Sequence, residues 1–99
     1  MTFRPENIPD FVAAFNARKD QIRTFNGCMG VELLQDVNQG NILFTYSTWT
    51  NVAALEEYRQ SDLFNTTWSE VKKWFCEKPE AWSVKKAEYP VKLKWPDLA

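Results

Sequence analysis

CMGVELLQDVNQGNILFTYSTW, residues 28–49, decides the fold. Successive side chains on a strand point to opposite faces, so Val31, Leu33, Gln35 and Val37 share one face and Glu32, Leu34 and Asp36 the other. The Asn38–Asn41 stretch, NQGN, supplies turn chemistry. Ile42, Phe44, Tyr46 and Thr48 then alternate with Leu43, Thr45, Ser47 and Trp49. Their β-branched and aromatic content suits a second strand. Together the two runs predict an antiparallel hairpin.

Upstream, Asn7 is placed as a helix N-cap, with Pro9 in the first turn and Asp10 three residues on. Apolar Phe11, Val12, Phe15, Ile22 and Phe25 then form a helical stripe, which Gly27 ends. Met1–Arg4 before it predict a strand stopped by Pro5. A central strand this short raises the expectation that the natural polypeptide starts upstream and that Met1 is an internal methionine. Downstream, Thr50 or Asn51 caps a second helix that buries Val52, Leu55 and Tyr58. Ser61 is placed as a fresh N-cap where that helix restarts. Phe64, Trp68, Val71 and Phe75 continue it at i, i+4, i+7 and i+11, up to Pro79. AWSVKKAEY, residues 81–89, predicts the last strand.

The order is strand, helix, strand, strand, helix, strand: a ferredoxin-like βαββαβ layout in the α+β class, with helices on one face of an antiparallel sheet. The chain is expected to be a single domain, with residues 1–89 as its core. The outer sheet face is expected to carry Leu34, Leu43, Trp49 and Tyr89, an apolar patch that predicts a homodimer. Val91, Leu93 and Trp95 in the 90–99 tail are expected to touch the partner subunit.

Composition narrows the function. Five Trp and seven Phe among 99 residues are a large aromatic content, and the net charge of −1 gives no electrostatic footprint for nucleic acid. Lys72, Lys73, Lys85, Lys86, Lys92 and Lys94 predict a solvated face. Cys28 and Cys76 form no CxxC pair and point to free, mostly buried thiols in a reducing compartment, the cytoplasm. No apolar run approaches the ~20 residues of a membrane span. The chain has no histidine. That removes the usual general base, imidazole ligation of zinc or haem iron, and a Ser-His-Asp triad.

Gly27-Cys28-x-Gly30, the following Glu32-Leu33-Leu34-Gln35-Asp36, a strand ending at Trp49, and then Leu55, Tyr58, Ser61 and Phe64 resemble the antibiotic biosynthesis monooxygenase family of small dimeric α+β barrels. The resemblance runs from about Pro5 to Val84. It implies the fold and a homodimer, and it leaves the substrate open. In the family's haem-degrading branch an aromatic residue is followed by Ser, Phe and a haem-ligating His. Here Tyr58, Ser61 and Phe64 match, but Trp68 stands at the ligand position, and an indole cannot coordinate iron. That branch also uses an Asn on the first strand, and no Asn precedes Asn7.

The oxygenase branch implies different chemistry. No metal, flavin or other cofactor is bound, and an electron-rich quinol-like or polycyclic aromatic reacts with oxygen directly. The protein excludes water, orients the ring and stabilises developing charge. On this reading Tyr58, Trp68 and Asn65 are the candidate catalytic residues. Tyr46, Trp49, Arg59, Phe64 and Thr66 are the candidate substrate-binding residues.

A plainer account stands beside this one. An aromatic stripe at helical spacing is more often core than pocket. Phe11, Phe15, Phe25, Val71 and Phe75 are assigned to the core, Ser61 to a cap, and Arg59 to a surface pair with Glu56 or Asp62. Two function classes therefore stay open. One is a cofactor-independent monooxygenase, and the other is a non-catalytic small-ligand-binding dimer on the same scaffold.

Overall fold

The computed structural model describes residues 1–85. After a single 3₁₀ turn at Pro5–Asn7, the elements are α1 (Ile8–Arg23), β1 (Cys28–Gln35), β2 (Leu43–Trp49), α2 (Val52–Arg59) and α3 (Asp62–Val71), with a closing 3₁₀ turn at Lys72–Trp74. The hairpin forms as its alternation predicts. β1 and β2 pair antiparallel, from Gln35 opposite Leu43 to Cys28 opposite Trp49, with one irregularity between Cys28 and Gly30.

The N-terminal residues are central even though they form no extended strand. Thr2 bridges Ile42 and Phe3 bridges Phe75, both antiparallel. Backbone hydrogen bonds join Phe3 N–H to the Asn41 carbonyl at 2.9 Å and Leu43 N–H to the Met1 carbonyl at 2.9 Å on one side. On the other side Cys76 N–H donates to the Thr2 carbonyl at 2.9 Å and Arg4 N–H to the Trp74 carbonyl at 3.1 Å. The strip therefore runs Phe75–Cys76, Met1–Arg4, β2, β1. Pro5 fixes its own φ and lacks an N–H, so the chain leaves the ladder there and turns into α1. The fold is α+β and ferredoxin-like; among the described residues the sheet beyond the hairpin consists of the bridges at Thr2 and Phe3.

Phe3, which is wholly buried, is the centre of the core, with Phe11, Phe15, Leu43 and Val71 around it. Phe3 stacks on Phe11 with ring centroids 4.4 Å apart. Arg18 on α1 pairs with Glu70 on α3 at 2.6 Å across the helical layer.

Four expectations are corrected. The helical stripe does not continue to Phe75: α3 stops at Val71, and Phe75 is extended, with φ −71 and ψ 142. Pairing with Phe3 prevails there over helical periodicity, and the Arg4 guanidinium holds the turn by donating to the carbonyls of Lys73 and Phe75. The last strand is not formed over residues 81–85, which are exposed and outside any strand. The rest of that expected strand, through Tyr89, and the tail with Val91, Leu93 and Trp95 lie outside the described residues.

The third correction concerns the sheet faces. Directly opposed residues share a face, and Leu34 opposes Phe44 while Gln35 opposes Leu43. Leu34 therefore belongs with Phe44 and Tyr46 on the outer face, where the three are 44%, 37% and 50% exposed. Leu43, only 3% exposed, lies in the core, and Trp49 lies on that inner side against α2. The fourth concerns Asn7. It occupies the N-cap position of α1, but its side chain bonds to Arg4 and Asp10 and caps no helical N–H.

Candidate functional site

Trp49 is the last residue of β2 on the inner face, and Tyr58 lies in the last turn of α2. A sharp reversal brings them together. Gly27, with φ 88, accepts a hydrogen bond on its carbonyl from Thr50 N–H at 2.8 Å. A Cβ at Gly27 would overlap the Ala54 Cβ, so glycine lets α2 approach the start of β1. Asn51 then caps α2 by accepting from Ala54 N–H at 2.8 Å.

The indole of Trp49 stacks on the Tyr58 ring with centroids 5.0 Å apart and planes 28° apart. Phe25, expected in the core, is half-buried and meets both rings edge-on. Phe64 meets Tyr58 edge-on at 5.3 Å and lies parallel to Trp68 at 6.2 Å, one helical turn on. Trp68 continues to Phe75 at 5.4 Å, and Phe75 to Phe3 at 5.2 Å. A continuous run of rings thus links the end of the hairpin to the centre of the core.

Ser61 joins the two helices of this run. Its hydroxyl donates to the Tyr58 carbonyl at 2.6 Å and accepts from Phe64 N–H at 3.1 Å. The side chain that caps α3 therefore also holds the end of α2, which sets the angle between the Tyr58 and Phe64 rings. It is a cap, as its place in the sequence predicts.

The polar groups of the run are sparse. Trp49 Nε1–H donates to Ser47 Oγ at 2.9 Å. Tyr58 Oη and Trp68 Nε1 have no hydrogen-bond partner among the described residues, and no buried side-chain N or O atom among them is left unsatisfied. Trp68 itself is 37% exposed. Burial pushes the Tyr58 phenol up to about 12, and the neighbouring Cys28 adds to the shift. Tyr58 is thus a neutral hydroxyl at ordinary pH, a donor and not a base.

The other expected site residues lie elsewhere. Tyr46 is on the outer face, beside an open depression of about 260 Å³ that Arg23, Met29, Glu32 and Thr48 also line. Arg59 is exposed and pairs with Glu56 at 3.3 Å. Asn65 and Thr66 are exposed, and Thr66 faces a groove of about 490 Å³ between α1 and α3, with Ala17, Arg18, Gln21, Asp62 and Leu63. The structure therefore brings Trp49, Tyr58, Phe64 and Trp68 together and sets Tyr46, Arg59 and Thr66 on other surfaces, while Asn65 is exposed on α3 one turn before Trp68.

Sequence reading missed Ser47 and Cys28 as neighbours of the run. The signal for Ser47 was its place two residues before Trp49 on the same strand face. Cys28 is the cross-strand partner of Trp49 and is half-buried, whereas Cys76 is exposed, against the expectation of mostly buried thiols. Among the described residues no cluster of three or more Cys, Asp or Glu side chains is placed to hold a metal ion. No helix there is long and apolar enough to cross a membrane.

A family model described as antibiotic biosynthesis monooxygenase matches residues 1–68. No curated protein is a significant match. Solved structures are similar over most of the chain. A conserved protein from Methanosarcina mazei Go1 superposes with a TM-score of 0.76 at 18% identity, covering 80% of this chain and 78% of that one. Rv0793 from Mycobacterium tuberculosis gives 0.74 at 19% identity, covering 88% and 91%. A crystal structure described as an antibiotic biosynthesis monooxygenase gives 0.71 at 16% identity, covering 78% and 81%. At such identities the likeness is one of fold.

Proposed function

The chain belongs to the antibiotic biosynthesis monooxygenase family, and from that premise we propose that it is a cofactor-independent monooxygenase of a flat, electron-rich aromatic, quinol-like or polycyclic. The observation that carries this reading is the ring run Trp49–Tyr58–Phe64–Trp68, in which two ring donors, Tyr58 Oη and Trp68 Nε1, have no partner among the described residues. Aromatic faces bind a planar guest by offset or edge-to-face contact. The two donors meet oxygen atoms on its rim.

The chemistry balances without a bound redox group. A hydroquinone and O₂ give a hydroxyquinone and water: one oxygen atom enters the ring, and the quinol's own electrons and protons reduce the other. The protein's part is orientation and stabilisation of charge on the ring oxygen. Tyr58 suits this as a neutral donor, because its raised pKa keeps the proton in place while the guest oxygen becomes negative.

The test is oxygen uptake with a panel of hydroquinones and naphthols. Wild-type protein is expected to consume oxygen and form the hydroxyquinone from hydroquinones and the quinone from naphthols, with water as the other product, and Tyr58→Phe and Trp68→Phe to lose turnover while remaining folded. No uptake across the panel overturns the reading.

One observation favours a second reading, a non-catalytic small-ligand-binding protein on the same scaffold. Arg59 pairs with Glu56, Thr66 faces the groove between α1 and α3, and neither of the two depressions described above is lined by Trp49, Tyr58, Phe64 or Trp68. This reading predicts that a flat ligand changes Trp fluorescence without forming product.

In either case the working unit is a homodimer. Leu34, Phe44 and Tyr46 form an exposed apolar strip on the sheet face away from the helices, and the same face of a second copy would cover it. The free thiols Cys28 and Cys76 suit a reducing compartment, the cytoplasm.

A further inference from the structure

Ser47 and Trp49 lie two residues apart on the inner face of β2, and the indole turns back so that its Nε1–H reaches Ser47 Oγ at 2.9 Å. Stacking on Tyr58 fixes the plane of that indole. It does not fix which edge points where, because the final torsion of an aromatic side chain is broad and roughly two-fold. A hydrogen bond at Nε1 distinguishes the two edges. It also uses up the one donor an indole has.

We propose that Ser47 is a positioning residue of the aromatic site: its hydroxyl locks the Trp49 indole in one orientation against Tyr58 and withholds the indole N–H from any guest. A planar ligand then meets Trp49 as a π face only. Directional recognition falls to Tyr58 Oη and Trp68 Nε1. The consequence for ligands rests on the aromatic-site reading above, whereas the lock belongs to the ligand-free protein.

The two parts are tested on the full chain by ¹⁵N indole NMR and by binding. The Trp49 Nε1–H signal is assigned by its loss in Trp49→Phe. In Ser47→Ala that signal is expected to shift and to exchange with solvent about fivefold faster, the worth of one modest hydrogen bond. Ser47→Thr keeps the hydroxyl and is expected to restore both. Two probes then separate face from edge recognition: anthraquinone-2-sulfonate, which carries ring carbonyls, and naphthalene-2-sulfonate, which does not. Freeing the indole N–H in Ser47→Ala is expected to move the ratio of their Kd values about threefold to tenfold toward the quinone.

An unchanged Trp49 signal in Ser47→Ala overturns the lock. A shifted signal with an unchanged Kd ratio overturns the withheld donor. Failure of wild-type protein to bind either probe overturns the aromatic-site reading instead, with the lock still decided by the exchange measurement. If Ser47→Ala does not fold, Ser47→Cys, close in size and a weak acceptor, gives the same readouts.

Discussion

The Trp49 indole lies on the Tyr58 ring at 5.0 Å, although nine positions separate the two residues and they belong to different elements. The contact depends on the turn at Gly27, the Asn51 cap and the exit of α2 at Ser61. Each of those parts is a local device, and each can be altered separately.

Gly27→Ala tests the turn. Its φ of 88 is disfavoured for any side chain, and the added methyl would overlap Ala54. The loss in unfolding free energy is expected to exceed the ~1–2 kcal/mol of the backbone term alone, measured by urea denaturation. Near-ultraviolet circular dichroism should change with it as α2 is pushed off Trp49. Gly30→Ala is the control. Nothing lies within 4 Å of a Cβ there, and its effect is expected to stay within about 0.5 kcal/mol.

Ser61→Ala removes the cap of α3 and the bond to the Tyr58 carbonyl together. A destabilisation of ~0.5–2 kcal/mol is expected. Ser61→Asp restores an acceptor for Phe64 N–H but supplies no donor for Tyr58. It should recover much of the stability and little of any ligand affinity. Equal recovery of both would show that the link to α2 has no part in the site.

Alkaline titration reads the surroundings of Tyr58. Its phenol is raised from 10.0 to about 12, chiefly by burial. The native state therefore favours the neutral form more than the unfolded chain does. The stabilisation is fully present below pH 10 and is lost as pH rises from 10 toward 12. Stability followed across that window should fall more steeply for wild type than for Tyr58→Phe. Parallel curves would mean that the ring is well solvated.

Much of this architecture was legible in the sequence because its signals are local. The period-two alternation of residues 28–49 specified the hairpin, and Ser61 declared itself as a cap by residue type and position, whereas the cap of α2 was narrowed to Thr50 or Asn51 and the structure chooses Asn51. Tertiary choices were not legible. Phe75 fits a helical stripe as well as it fits an edge beside Phe3, and only the three-dimensional pairing decides. The inner and outer faces of β2 are both rich in apolar residues, so alternation alone could not say that Leu43 and Trp49 point inward. For the site, Tyr58, Phe64 and Trp68 converge because i, i+4 spacing and a shared cap bring them together. Thr66 and Arg59 lie one or two residues from those rings in sequence, but a helix turns such positions to other faces, Thr66 to the groove with α1 and Arg59 to Glu56.

The outer face gives a prediction of its own. If Leu34 and Phe44 meet a second copy, Leu34→Asp with Phe44→Asp should halve the mass seen by light scattering while circular dichroism keeps its helical signal. Leu34 and Phe44 are 44% and 37% exposed in the single chain, so part of the cost of replacing them falls on that chain, and the mass is read only where the helical signal is kept. A wild-type mass of one chain at micromolar concentration would remove the dimer from the account.

The most direct test of the central claim is to locate a bound planar guest. Intermolecular nuclear Overhauser effects from anthraquinone-2-sulfonate are expected at the rings of Trp49, Tyr58 and Trp68, and to vanish in Trp68→Ala. Contacts confined to Tyr46 on the outer face, or to Thr66 in the groove between α1 and α3, would contradict it.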